Sequence, residues 1–416
     1  MYYIMKRLQV VIVIAVVSPL LLGSVLTGCD LFGSSGDDDT GAGEMVWSHE
    51  HNQWHVYHTQ PALSEERGFF ASDGYIRAFD VNTGNLAWRS ELLLGGDRPR
   101  FSSQKIINGI EKIYVNSTSN IWAINKASGQ IEWHTRISNF DYVNIAKMIK
   151  NDSHLFLGGK GEVVRLRKDD GTVDLRIELD RLLHPEADEQ IAYNSEIFDD
   201  DMLVVPASYF FDGAEEIYGN VFAYDAHTGD LLWEHELPLK QRSRPNSSDS
   251  TTIGAGTYGL DISDEYVIVP YGASVRALDR RTGEVVWDTD FSADGYAFHA
   301  GATIAYDRVY VGTGSHPLLA EPSMMSLDLR TGDLDWVTPV RGTLFTFATV
   351  RDNRVYFTDS LGNTMYVMDA FSGDIIWKRG APRELSSNDG FTSPIAVGDD
   401  YMLVNGSDRV FAFKKP

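Results

Sequence analysis

Four of the eleven histidines in this chain, His49, His51, His55 and His58, fall within ten residues of one another. Imidazole nitrogens suit zinc, copper or nickel, so a cluster at this spacing is the first place to look for a metal. A strand running through Trp47 turns His49 and His51 to one face and leaves His55 and His58 to the loop that follows, so the spacing implies no single geometry. Surface histidines without a ligand are the preferred reading. Tyr209, Phe210 and Phe211 form an aromatic trio, and Lys240, Arg242 and Arg244 are the main basic cluster of an acidic chain. Both groups suit the anchoring of a protein partner; the other reading of the trio is that it folds back onto its own loop. Asp and Glu total 59 against 36 Lys and Arg, but no spacing singles out a general base or a set of calcium ligands. No catalytic residue is assigned.

Covalent chemistry points to Cys29, the only cysteine in 416 residues. Lys6 and Arg7 precede an apolar run from Val10 to Leu26, broken by Ser18 and Pro19, and Leu26-Thr27-Gly28-Cys29 then resembles a bacterial lipobox. At 17 residues the run is short for a stable membrane span and typical of a cleaved segment. The expectation is a lipoprotein signal peptide over 1–28, a lipidated Cys29, and a flexible tether over 29–43 rich in Gly, Ser and Asp. One thiol forms no internal disulfide. The protein is then exported and held at a bacterial envelope membrane. The outer membrane, facing the periplasm, is the expected site, although Asp30 directly after the cysteine resembles an inner-membrane retention signal. Net charge is −23, and −25 once residues 1–28 take Lys6 and Arg7 with them. Such a balance excludes nucleic acid and anionic lipid as direct partners and leaves two readings, solubility or a basic or polar protein partner.

The elements that position these residues are set by an eleven-residue phrase, roughly A-x-D-x-x-T-G-x-x-x-W. It recurs at Ala78–Trp88, Ala123–Trp133, Ala223–Trp233, Ala277–Trp287, Ser326–Trp336 and Val367–Trp377, with a decayed copy at Arg165–Leu175 that ends in Leu. Between Gly84, Gly129, Gly171, Gly229, Gly283, Gly332 and Gly373 the steps are 45, 42, 58, 54, 49 and 41 residues, the period of a four-stranded propeller blade. Each phrase follows paired β-branched and aromatic runs such as Lys112–Asn116 and Asn120–Asn125, which read as a hairpin. Asp and Thr then bond their own turn and Gly supplies a positive φ. The tryptophans Trp88, Trp133, Trp233, Trp287, Trp336 and Trp377 open the last strand of each blade, where a flat ring packs on the neighbouring blade's glycine turn.

After Trp377 three strands follow and a fourth is missing, while Glu44–Glu50 carries Trp47 with no phrase before it. The two ends are therefore expected to complete one blade, giving an all-β, eight-bladed propeller of four-stranded antiparallel blades over residues 44–416. Closure removes the sheet edges at which an open array would aggregate. Extra length falls in Ser208–Asn220 and Gly312–Ser323 within blades and in Leu182–Glu196 and Leu237–Tyr258 between them, connection types that open on the same face. One mouth is elaborated, and loops on a rigid scaffold are where binding is placed.

The phrase resembles the tryptophan-docking repeat of the pyrroloquinoline-quinone-type eight-bladed propellers, a family that includes quinoprotein dehydrogenases and the outer-membrane assembly factor BamB. The BamB branch implies a non-catalytic scaffold that docks on an outer-membrane barrel insertase, with a propeller domain that is monomeric. The dehydrogenase branch implies quinone and calcium in the funnel, and in many members a disulfide between adjacent cysteines. The chain has no second cysteine, no C-x-x-C-H, and little length for a cap or haem domain. The scaffold reading, without cofactor or metal, is the one expected. A quinone-dependent dehydrogenase and a ligand-binding or sensory propeller are the alternatives.

Overall fold

The computed structural model describes residues 43–416 apart from 52–58, 95–104, 118, 141–147, 180–188, 193–195, 199–200, 211–217, 239, 244–249, 254–258, 299, 315–319, 345, 360–362, 382–389 and 407. Every regular element among them is a strand. Eight antiparallel sheets form the blades of a propeller. Blade 1 runs from Ala62 to Arg89, blade 2 from Ile107 to Arg136, blade 3 from Ile149 to Glu178 and blade 4 from Glu189 to Leu237. Blade 5 runs from Asp261 to Asp290, blade 6 from Thr303 to Pro339 and blade 7 from Thr349 to Gly380. Blade 4 departs from the others, because Glu189–Ala192 and Glu196–Phe198 both pair with its long second strand, Met202–Phe210.

Blade 8 is assembled from both ends of the chain. Ala396–Val397, Tyr401–Asn405 and Arg409–Lys414 supply three strands, and Met45–Glu50 adds the outermost one, pairing Trp47 with Ala412 and His49 with Val410. The repeated phrase is thereby split. In blade 1 the Gly84 amide donates to Asp80 O at 2.9 Å and the Asp80 amide to Asn85 O at 2.9 Å. In blade 8 the Gly43 amide donates to Lys414 O at 3.1 Å and the Lys414 amide to Glu44 O at 2.9 Å. Gly43, read from sequence as the last tether residue, occupies the turn-glycine position four residues before Trp47. It carries the same positive φ as its sisters and lies under Trp377.

In every copy of the turn whose first residue is Asp or Asn in the phrase, that side chain organises it. Asp80 Oδ1 accepts the amides of Asn82 and Thr83 and the Thr83 hydroxyl at 3.1, 2.9 and 2.9 Å, and Asp279, Asp328 and Asn125 repeat the pattern. Beyond the turn a β-bulge falls at the alanine position, as between Ala78 and Phe79 or Ala277 and Leu278, so that the following strand brings its tryptophan opposite that residue. The core is a series of apolar layers between adjacent blades. One of them joins Ile149, Phe156 and Ile177 of blade 3 to Leu203, Val205, Phe222 and Tyr224 of blade 4.

Candidate functional site

Two places on this scaffold hold the described residues singled out in the sequence, the seams between blades and the elaborated mouth; the axial channel is a third place for a ligand. At the seams each of six indoles spans to the next blade in two ways. Its flat face covers the turn glycine, Trp47 on Gly84, Trp88 on Gly129, Trp133 on Gly171, Trp233 on Gly283, Trp287 on Gly332 and Trp336 on Gly373. Its Nε1 donates to a backbone carbonyl of that same turn, from Trp47 to Val81 O at 2.8 Å, Trp233 to Arg280 O at 2.8 Å and Trp287 to Leu329 O at 3.0 Å. A buried indole with its N–H satisfied is a packing residue, and no row of tryptophan faces is left for a ligand. Only Gly229 meets aliphatic carbons, Leu175 and Ile177, because blade 3 ends its phrase in leucine.

A second docking residue, two places after the tryptophan, was not recognised in the sequence. Thr135, Thr289 and Thr338 donate their hydroxyls to Gly171 O, Gly332 O and Gly373 O at 2.7, 2.7 and 2.8 Å. In blade 8 that place belongs to His49, whose Nε2 donates to Gly84 O at 2.7 Å while its ring stacks on Phe79 at 4.4 Å. Arg379 fills it in blade 7 and reaches Gly43 O at 3.0 Å. His49 is therefore a clamp between blades. His51 is buried, its amide donates to Asp408 O at 2.8 Å, and burial pulls its imidazole down from 6.5 to about 4 against the pull of Asp73. His55 and His58 lie outside the described residues. Among the described residues no three His, Cys, Asp or Glu side chains come together as a metal site.

At the mouth the sequence reading needs a correction. Ser208–Asn220 was taken as an inserted loop, but strand pairing continues through it as far as Tyr209 opposite Tyr218. Tyr209 is fully buried in the layer between blades 3 and 4, so it serves packing and offers no anchor to a partner. Nine residues from Met202 to Phe210, buried without a break from Leu203 to Tyr209, make a longer strand than in the other blades. Phe210 ends that strand, opposite Glu189. Lys240 and Arg242 lie on a small hairpin between blades 4 and 5, Lys240 paired with Ile253 and Arg242 with Thr251. Phe211, Arg244 and Cys29 fall outside the described residues.

The short innermost strands surround the axis and are stitched blade to blade. Gln60 Nε2 donates to Ile395 O at 3.0 Å, Thr303 Oγ1 to Ala348 O at 3.0 Å and Thr349 Oγ1 to Ile395 O at 2.7 Å. A cavity of about 300 Å³ lies here, lined among others by Gln60, Lys105, Asp261, Thr303 and Phe347. Burial, and then the neighbouring Lys150, depress the Lys105 ammonium below its ordinary range. Among the described residues of this lining Asp261 is the one carboxylate, and its two oxygens accept the amides of Ile262 and Ile304 at 2.9 and 2.7 Å. Calcium takes six to eight oxygens, several of them carboxylate. The described residues that line this cavity do not supply such a set.

With this geometry in view, the comparisons with known proteins divide cleanly. The family model of the outer membrane protein assembly factor BamB matches residues 38–205, 72–256 and 272–415. The chain belongs to that family. BamB of Yersinia pestis is 22% identical over 324 residues, covering 70% of this chain and 75% of the relative. The 1-butanol dehydrogenase (quinone) of Thauera butanivorans is 39% identical, but over 131 residues that cover 30% of this chain and 20% of the enzyme. The crystal structure of BamB from Moraxella catarrhalis superposes with a TM-score of 0.61 at 13% identity, over 89% of this chain and 99% of that one. That likeness shows the eight-bladed fold; the BamB family membership rests on the sequence.

Proposed function

We propose that this BamB-family chain is an exported lipoprotein, anchored through Cys29, whose propeller acts as a non-catalytic protein-interaction scaffold in outer-membrane protein assembly. The observation that carries the reading is the match of the BamB family model along nearly the whole propeller. Among the described residues of the axial cavity Asp261 is the one carboxylate, and it accepts two backbone amides. The partner is then a protein, an outer-membrane barrel insertase, bound by a monomeric propeller on the periplasmic side of the outer membrane. Neither nucleic acid nor a cofactor takes part. A net charge of −25 after residues 1–28 take Lys6 and Arg7 with them suits a soluble exported domain with basic or polar protein partners.

Affinity capture of the full chain from its native envelope, with mass spectrometry of the bound proteins and an absorbance spectrum of the purified material, tests this. Recovery of a barrel insertase with no quinone absorbance supports the scaffold. A bound quinone with dye-linked alcohol oxidation overturns it in favour of a dehydrogenase, the reading that the 131-residue local similarity to the butanol enzyme would then explain.

A further inference from the structure

In a propeller every blade ends in an outer strand whose far edge is open, and such edges are usually guarded by Lys, Arg, Pro or a short length. Five of the outer strands here follow that rule. Blade 1 ends in four residues with Arg89, blade 2 carries Arg136, blade 3 Arg176, blade 6 Pro339, and blade 7 both Lys378 and Arg379. Blade 8 lacks these residues, but its aliphatics Met45 and Val46 are half-buried and its Glu50 is paired with Arg409. In blade 5, Asp288 is held by Arg276 and Tyr271.

Blade 4 is different. Its outer strand, Leu231–Leu237, is the longest of the eight at seven residues and contains no Lys, Arg or Pro. One face, Trp233, His235 and Leu237, is turned towards blade 5: Trp233 bonds Arg280 O at 2.8 Å, and His235 Nε2 accepts from Arg276 at 2.9 Å. The other face presents Leu232, Glu234 and Glu236 to solvent, with Leu232 49% exposed. Among the described residues neither glutamate makes an ion pair or a side-chain hydrogen bond. The backbone alternates in step. In sister blades the amides two or four places after the tryptophan bond inwards, Ser90 to Ile76 O, Ile137 to Ser119 O and Phe291 to Ala273 O. By the same alternation Glu234 and Glu236 direct their N–H and C=O outwards.

We infer that the outer edge of blade 4 is a docking site for an extended polypeptide that adds a strand beside Leu231–Leu237 and carries, on the matching face, an aliphatic residue and two cations. Backbone hydrogen bonds to Glu234 and Glu236 give the strand its register, and the two carboxylates select cationic side chains opposite them. Leu232 supplies an apolar contact at one end. The site is distinct from the mouth loops and stands whether or not the insertase is the partner.

The test uses the full chain in detergent and a fluorescein-labelled nonapeptide alternating lysine and valine, with a glutamate–valine nonapeptide as its counterpart, followed by fluorescence anisotropy. The lysine probe is expected to bind and the glutamate probe not to. Glu234→Lys with Glu236→Lys should weaken the lysine probe at least tenfold. Glu65→Lys with Glu66→Lys, the same charge change at an exposed turn of blade 1, should change it less than twofold. Glu234→Pro removes an outward amide without touching the inward ladder, and should also weaken binding tenfold while leaving the urea midpoint close to that of the unaltered chain. Equal weakening by the two charge-reversed pairs would show attraction to overall charge alone and overturn the proposal. So would full binding by a folded Glu234→Pro chain, or no binding of the lysine probe.

Discussion

Replacing a turn glycine by alanine should be costly in proportion to what the previous blade places above it, and two positions separate the contributions. At Gly332 the backbone has φ +73°, and a Cβ would sit 2.5 Å from Trp287 Cε3 and 2.7 Å from Thr289 Oγ1. At Gly229 the φ is +80°, but the nearest atoms are Ile177 Cγ1 at 3.2 Å and Leu175 Cδ1 at 3.4 Å. The left-handed conformation alone costs an alanine about 1–2 kcal/mol at either site. Only at Gly332 must a packed indole move as well, which adds about 1–3 kcal/mol. Gly229→Ala should therefore lose about 1–2 kcal/mol and Gly332→Ala about 2–5 kcal/mol. Urea unfolding followed by tryptophan fluorescence measures the difference. The decisive arm is Gly332→Ala in a Trp287→Leu, Thr289→Ile background, which recreates the Leu175–Ile177–Gly229 seam: the alanine should then cost no more than it does at Gly229. If both glycine variants lose the same stability, or if that background leaves the cost at Gly332 undiminished, the indole is not what excludes a side chain there.

His51 should make stability pH-dependent. Its folded value of about 4 lies below 6.5, so between those limits the unfolded chain binds the extra proton and stability falls as pH drops from 6.5 to 4, flattening below. The span is worth about 3 kcal/mol, and a His51→Gln chain should lose that slope in melting curves taken across the range. Turn hydrogen bonds hold Asp80, Asp225, Asp328 and Asp369 below the usual carboxylate range against an opposing effect of burial; at Asp279 burial is the largest single influence, yet the turn hydrogen bonds together outweigh it. Their contribution is full above pH 4 and disappears as the solution is acidified through their folded values, so acid unfolding should continue below the His51 range. Thr338→Val removes the hydrogen bond to Gly373 O and should cost about 1 kcal/mol in the urea midpoint, while Thr338→Ser recovers most of it. Cys29→Ser should move the protein from the membrane pellet to the soluble fraction after cell fractionation; retention in the pellet would refute anchoring through this residue.

The blades were legible because the turn chemistry leaves little choice. Asp bonds the turn, Gly takes the positive φ, and the tryptophan four residues later has one place to go, so even Leu175 marks a blade despite the lost indole. What stayed hidden has physical causes. The split phrase was missed because Lys414 stands where six of the other seven blades have Asp or Asn and its glycine, Gly43, lies at the other end of the sequence. Thr135, Thr289 and Thr338 share their offset from tryptophan and were open to detection, but His49 and Arg379 at the same offset broke the pattern. His49 was thereby grouped with neighbouring histidines by proximity in sequence, when its contacts belong to blade 1. Tyr209 was misread because a longer hairpin and an inserted loop add the same number of residues. Binding residues leave a fainter trace, since nothing in the repeat requires Glu234 or Glu236.

The seam in blade 8 joins the first described strand to the last. Met45 meets Phe413 across almost the whole described chain, so among the described pairings this one carries the largest loop-closure entropy. The outermost strand must wait, with Trp47 uncovered on one side, until Arg409–Lys414 has been made and delivered. Ring closure is thus a clasp that fastens last, and release of either end reopens both flanks at once. Losing only the final strand would free Met45–Glu50 as well, converting a closed ring into an open stack with two raw edges. Resistance to unfolding over time, as distinct from equilibrium stability, is then set largely by how slowly that clasp opens.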